Sequence, residues 1–157
     1  MCEYCGCQAV TVIDELTREH DLVVGMIGEV RTAHEAADLE RMADLARGIA
    51  AVLGPHTEVE ERGLFPLLAD DFPDHVATLE AEHRRIEAVL GAAAAGTPAD
   101  PRWARRLIET LDLLREHILK EQDGVFPAAL GTLTGTDWDA VDDVRAGVGT
   151  LLPGTRT

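Results

Sequence analysis

Apolar residues recur at intervals of three and four along most of the chain, which is the pattern of amphipathic helices. Four long helices are predicted, over residues 11–37, 38–65, 73–95 and from about 98 or 102 to 123. A shorter one follows from Trp138 to about Leu151. The connections between the long helices are short, so neighbouring helices should run antiparallel. We therefore predict an all-α fold, an antiparallel up-down four-helix bundle with an additional short C-terminal helix.

One motif occurs twice in the chain. His56–Pro66 reads HTEVEERGLFP and His117–Pro127 reads HILKEQDGVFP, so both copies follow H-x3-E-x2-G-x-F-P. A Glu-His pair precedes each copy, as Glu19-His20 and as Glu82-His83. Only two copies exist, which indicates one internally symmetric domain rather than a repeat array. We expect Phe65-Pro66 to end the second helix, because the residue before a proline disfavours the α conformation.

The spacing within H-x3-E favours a metal site. Residues four apart lie on the same face of a helix, about 6 Å apart along its axis, so one imidazole and one carboxylate can reach a single ion. Two such helices, with two more that carry single histidines, provide ligands for two ions bridged by carboxylates. The candidate ligands are His20, His56, Glu60, His83, His117 and Glu121.

These motifs, with the Phe-Pro after each one, resemble the hemerythrin family in its bacterial form, the HHE cation-binding domain. The resemblance covers roughly residues 10–130. It implies two iron ions joined by an oxo or hydroxo bridge. It further implies that His20 and His56 bind one iron, that His83 and His117 bind the other, and that Glu60 and Glu121 bridge them.

The chain departs from the oxygen-carrying hemerythrins on the third helix. Those proteins have a further H-x3-H pair, whereas here Leu79 and Glu87 stand four residues either side of His83. The departure leaves an open position on both ions and favours redox turnover of peroxide over reversible O2 carriage. Glu87 or Glu80 would fill the gap as a carboxylate ligand, or would face solvent.

A cysteine cluster, Cys2, Cys5 and Cys7, lies ahead of the first predicted helix, which begins near Thr11. The cluster is either a thiol site for metal binding or oxidation, or part of a surface tail of modest reactivity. The predicted organisation is a cysteine-containing tail over residues 1–9, a bundle over 10–152 and a tail over 153–157.

The formal net charge of −15 argues against nucleic acid and anionic membranes as partners. The N-terminus lacks the basic and apolar regions of a signal peptide, and no apolar run approaches the ~20 residues of a membrane span. We expect a cytoplasmic protein, a monomer or weak oligomer, whose partner is a diatomic molecule or peroxide.

The leading hypothesis is a non-haem di-iron protein that binds O2, peroxide or nitric oxide as a sensor, a scavenger or a catalase-like enzyme. The alternative is an iron-storage or metal-responsive regulatory module with a redox-active cysteine tail. A buried polar network without metal is disfavoured, because six such side chains are costly to satisfy in a core without a cation.

Overall fold

The computed structural model describes residues 7–153, and every regular element in that range is helical. The helices are α1 (Cys7–Glu35), α2 (Leu39–Glu58), α3 (Phe65–Leu68), α4 (Pro73–Gly91), α5 (Trp103–Lys120), α6 (Phe126–Thr132) and α7 (Gly135–Val148). Helices α1, α2, α4 and α5 form the four-helix bundle, in which α1 and α4 each contact both α2 and α5. The predicted fold class is confirmed.

Phe65-Pro66 does not end the second helix, so that prediction was wrong, and the fourth helix likewise continues past Asp123 and through Phe126-Pro127. A π-turn over Val59–Leu64 joins α2 to α3, and a second over Glu121–Val125 joins α5 to α6. In the first, the Phe65 N–H donates to the carbonyl oxygen of Glu60, five residues back. A proline lacks an N–H and its ring crowds the carbonyl four residues earlier. The wider π-turn ahead of each proline lets the helix continue.

Other boundaries also differ from the prediction. Helix α1 is already formed at Cys7, well before Thr11, so Cys7 is not ahead of the helix. Ala9 and Val12 are buried and continue the apolar stripe of α1 toward its start, which stabilises the earlier turns. At the other end, α7 begins at Gly135 because Thr134 and Asp137 form a capping box there.

Two hydrophobic cores stack along the bundle with the histidines between them. One core contains Val23, Val52 and Ile86 with the facing part of α5. The other contains Leu16, Val59 and Leu79 with Phe65, Phe126 and part of α7. On three helices the residue one turn before the histidine belongs to one core, and the residue one turn after it belongs to the other. These histidines are His20, His56 and His83.

Helix α7 packs mainly against one half of the bundle. It contacts α1, α2 and the first π-turn. A Cβ atom placed on Gly63 of that turn would lie 3.5 Å from Cα and Cγ1 of Val141 on α7. Gly124, the equivalent residue of the second π-turn, would meet nothing within 4 Å. Within residues 7–153, no helix is both long enough and apolar enough to cross a membrane.

Replacing Gly63 by leucine should destabilise the protein by about 1–3 kcal/mol, because the side chain has no room beneath α7. Gly124→Leu is the matched control at the equivalent place and should change the free energy of unfolding by no more than ~0.5 kcal/mol. Urea denaturation of both variants measures this difference. Equal losses would show that α7 does not press on the first π-turn.

Candidate metal centre

Six predicted side chains meet in one buried layer between the two cores. His20 comes from α1 and His83 from α4, while His56 and His117 lie near the ends of α2 and α5. Glu60 and Glu121 lie in the two π-turns. None of the six is more than 5% exposed.

The ligand atoms of these side chains form two groups that share both carboxylates. In each group the candidate atoms lie within 4.8 Å of one another. The first position lies between His20 and His56 with Glu60 and Glu121, and the second lies between His83 and His117 with the same two carboxylates. This grouping is the one that the resemblance implies for a bridged pair of ions.

The carboxylate distances connect the two positions. Glu60 has one oxygen 3.3 Å from Nε2 of His56 and the other 3.3 Å from Nε2 of His83. Oε1 of Glu121 lies 3.1 Å from Nε2 of His20 and 3.4 Å from Nε2 of His117. Each carboxylate therefore faces one histidine of each position.

Several buried atoms at the centre lack hydrogen-bond partners. Among the described residues they include Nε2 of His56, both carboxylate oxygens of Glu60 and Oε2 of Glu121. Buried polar groups are normally paired, because an unpaired one loses its hydration without compensation. Imidazole nitrogens and carboxylate oxygens are also the donors that iron and similar ions accept. The residues present therefore fit a pair of metal ions.

The charged groups of the centre shift one another's pKa values. Burial alone lowers the pKa of a histidine, but the negative charge of Glu60, the hydrogen bond to Glu19 and the charge of Glu121 together outweigh it and raise the pKa of His56 to about 10. Burial also lowers the pKa of His83, but the nearby negative charge of Glu60 and the hydrogen bond to Glu61 together raise it to about 9. Burial would raise the pKa of Glu60, but the charge of His56 holds it well below its usual range.

The phenylalanine of each Phe-Pro covers a histidine. Phe65 stacks on His83 with ring centroids 5.8 Å apart, and Phe126 stacks on His20 at 5.6 Å. Both phenylalanines are buried. They close the centre on the side of the second core and limit the access of water from there.

Around the centre lies a second layer of side chains, which accept a hydrogen bond from the outer nitrogen, Nδ1, of each of the four histidines. Nδ1 of His56 donates to Glu19 and Nδ1 of His117 donates to Glu82, each over 2.9 Å. Since a carboxylate only accepts, Nδ1 carries the proton and Nε2 is left to face the centre. The signal for these residues was the glutamate of each Glu-His pair, but the sequence does not tell which histidine it contacts.

The other two outer nitrogens contact the residues that follow the bridging glutamates. Nδ1 of His83 donates to Glu61 over 2.6 Å, and Nδ1 of His20 donates to Gln122 over 3.0 Å. In the sequence Glu61 directly follows Glu60, about 100° round a regular helix, so either solvent or an outer layer was expected for its side chain. Its contact with His83 fits the second of these. Gln122 was missed, although it occupies the matching place in the second motif.

A buried arginine from α7 anchors Glu19. Nη1 and Nη2 of Arg145 donate to the two oxygens of Glu19 over 3.1 and 2.6 Å, and Thr150 donates to the same carboxylate. Burial would raise the pKa of Glu19, but the hydrogen bonds from His56 and Arg145 lower it to about 2. The repeated motif does not indicate Arg145, because α7 lies outside both copies of the motif.

Neither additional carboxylate candidate joins the two groups. Glu87 is exposed and pairs with Arg84 over 3.2 Å, and Glu80 is half-buried outside the centre. Glu87 instead lines a cavity of about 200 Å³ that reaches the histidines and Glu121. The remaining lining is mostly apolar and includes Leu53, Ile86 and Leu114. A cavity of this size admits several waters or a small ligand.

The cysteine cluster cannot be placed relative to the centre. Cys2 and Cys5 lie outside the described residues. Cys7 is the first described residue of α1, and its side chain also lies outside what is described. The predicted thiol site stays a prediction.

A family model described as the hemerythrin HHE cation binding domain matches residues 11–129. The matched range includes all six side chains of the centre and the second layer except Arg145 and Thr150. Helix α7 lies beyond it. No curated protein and no solved structure matches the chain.

Replacing Glu19 by glutamine should cost the metal-free protein about 3 kcal/mol of unfolding free energy, because it removes the carboxylate that accepts both hydrogen bonds from the buried Arg145, whose other acidic neighbour, Glu15, lies 3.9 Å away. Glu82→Gln is the matched control. Its partner Lys120 is 47% exposed, so its loss should cost less than about 1 kcal/mol. Urea unfolding without metal measures both, and a larger loss for Glu82→Gln would contradict the anchoring role of Arg145.

Proposed function

The chain belongs to the hemerythrin HHE cation-binding domain family, and we propose that it binds two iron ions and consumes peroxide in a catalase-like reaction. O2 and nitric oxide are further ligands that such a centre would take. The single observation that carries the proposal is the sharing of Glu60 and Glu121 between two buried histidine pairs. Shared carboxylates hold two cations close together, since their negative charge offsets the repulsion between the ions.

The residues one turn before His20 and His83 support turnover over carriage. They are Leu16 and Leu79, and both are buried in the apolar core. Neither half therefore supplies a further imidazole from this place. Each ion would receive two imidazoles and the shared carboxylates, which leaves both ions able to bind an added ligand.

The chain's own residues would select and hold that ligand. The cavity beside the histidines would admit a molecule as small as peroxide, and its apolar walls would limit bulk water. The Nδ1 hydrogen bonds would keep every imidazole in the tautomer that presents Nε2 to the centre. Bound iron would supply the electron exchange that converts two molecules of hydrogen peroxide to two of water and one of O2.

A second candidate function is an iron-storage or metal-responsive regulatory module. It is supported by the unpaired buried atoms of Glu60 and Glu121, which would make the metal-free bundle less stable than the loaded one. In that role the cysteine tail would transmit the change to a partner. A melting temperature that rises steeply with iron, without any loss of peroxide, would favour this function.

The test is iron content per chain by elemental analysis, with visible spectra recorded before and after adding azide and peroxide. Wild-type protein should hold about two irons and remove peroxide. His56→Ala and His117→Ala each remove a ligand from one position, so each should lower the iron content by about one or more per chain. Peroxide removal should fall with it.

His75→Ala is the control for these variants, because His75 is an exposed histidine outside the centre. It should retain the wild-type iron content and spectrum. Full iron content in both His56→Ala and His117→Ala would disprove the proposed ligand set. Zinc, or a single ion without a visible chromophore, would disprove the di-iron proposal itself.

Metal affinity should rise with pH. The pKa values of about 10 for His56 and about 9 for His83 mean that both are protonated at neutral pH in the metal-free protein. A metal ion must displace those protons, so affinity is weakened below pH ~9 by up to ~tenfold per pH unit for each proton released. Competition titrations with a chelator at pH 6, 7 and 8 measure the slope. An affinity independent of pH would show that the histidines bind without losing protons.

A further inference from the structure

The two metal positions have different charges behind their histidines. The motif copies match at the ligands but differ at the next residue, which is Glu61 in the first copy and Gln122 in the second. Both side chains reach across the bundle and accept a hydrogen bond from the Nδ1 of a histidine. The second position therefore has a carboxylate, Glu61, where the first position has an uncharged amide, Gln122.

The second position has two carboxylates behind it. His83 donates to Glu61 over 2.6 Å, and His117 donates to Glu82 over 2.9 Å. The cations that pair with these carboxylates, Arg84 and Lys120, are 55% and 47% exposed. Solvent screens exposed cations, so they offset little of the negative charge that the two histidines experience.

The first position has only one carboxylate that accepts a hydrogen bond from its histidines. His20 donates to the uncharged amide of Gln122, and His56 donates to Glu19. Arg145, which is 1% exposed, contacts both oxygens of Glu19 and lies 3.9 Å from the buried Glu15. A buried cation is screened very little, so the arginine offsets part of the negative charge that Glu19 places behind His56.

A carboxylate that accepts from Nδ1 makes an imidazole a stronger electron donor through Nε2. Negative charge behind the ligand also lowers the free energy of a more highly charged ion. Both effects favour a ferric ion at the second position relative to the first. The asymmetry comes from a one-residue difference between the repeats and from α7, which packs mainly against the first half.

We propose that the two iron positions are inequivalent in reduction potential. The ion between His20 and His56 accepts the first electron and becomes ferrous, while the ion between His83 and His117 stays ferric. Glu61 and Gln122 are the positioning residues that set this difference. The inference rests on the proposed di-iron function.

The experiment is a potentiometric titration of the iron-loaded protein, in which an electrode with mediators supplies one electron per ion. Wild-type protein should show two separate one-electron potentials. Glu61→Gln keeps a hydrogen-bond acceptor for His83 but removes the charge, so the lower potential should rise. Gln122→Glu adds a charge behind His20, so the higher potential should fall. Each change should alter the corresponding reduction equilibrium about tenfold, or ~59 mV.

The control is Glu58→Gln, which removes an exposed carboxylate that pairs with Arg62 on the same stretch of helix. It should leave both potentials unchanged. Visible spectra and iron content of every variant check that two irons remain. If wild-type protein holds fewer than two irons, the proposed function fails and the inference fails with it.

If two irons are present, the inference can fail alone. Equal shifts of both potentials in each variant, or no shift, would overturn it. A rise of the higher potential in Glu61→Gln would reverse the assignment and also overturn it. Arg145→Lys gives an independent check, because the retained positive charge should leave the higher potential near its wild-type value, whereas Arg145→Met should lower it.

Discussion

Two carboxylates buried beside four imidazoles set the main constraint on this protein. Removing such groups from water is costly unless each is paired, and the bundle pairs the outer nitrogen of all four histidines but leaves several inner atoms unpaired. Glu19, Glu61, Glu82 and Gln122 accept from the four Nδ1 atoms. The inner atoms of Glu60, and one of Glu121, have no hydrogen-bond partner. The fold therefore has its polar atoms arranged for cations at its centre and for hydrogen bonds around it.

The π-turns make that arrangement possible on continuous helices. In a regular α-helix, Glu60 and Glu61 would point about 100° apart. In the wider turn both carboxylates reach the same histidine, Glu60 at Nε2 and Glu61 at Nδ1. The same turn accommodates the proline that follows and places Phe65 over the ring of His83. One short segment thus provides a candidate metal ligand, a second-layer residue and the apolar cover. The second motif repeats the arrangement.

Helix α7 breaks the symmetry of the duplicated bundle. It packs over Gly63 and places Arg145 against Glu19. The corresponding surface of the second half is a groove of about 510 Å³ beside Gly124 and Val125. The two halves consequently have equivalent inner ligands but different surroundings. Charges near a buried centre are only weakly screened. A helix outside the matched family range can therefore change the electrostatic environment of the centre directly.

The sequence by itself determined the helical class, the internal duplication and the six side chains that meet at the centre. Helical periodicity and a motif repeated at fixed offsets are local properties of the chain, and local properties can be read without coordinates. The continuation of both helices past Pro66 and Pro127 could not be read in this way. Proline predicts an end, and only the hydrogen-bond pattern of the surrounding turns reveals a π-turn. The contacts of Gln122 with His20 and of Arg145 with Glu19 join residues more than 100 positions apart. Such pairings depend on how helices pack, which the tertiary structure alone decides.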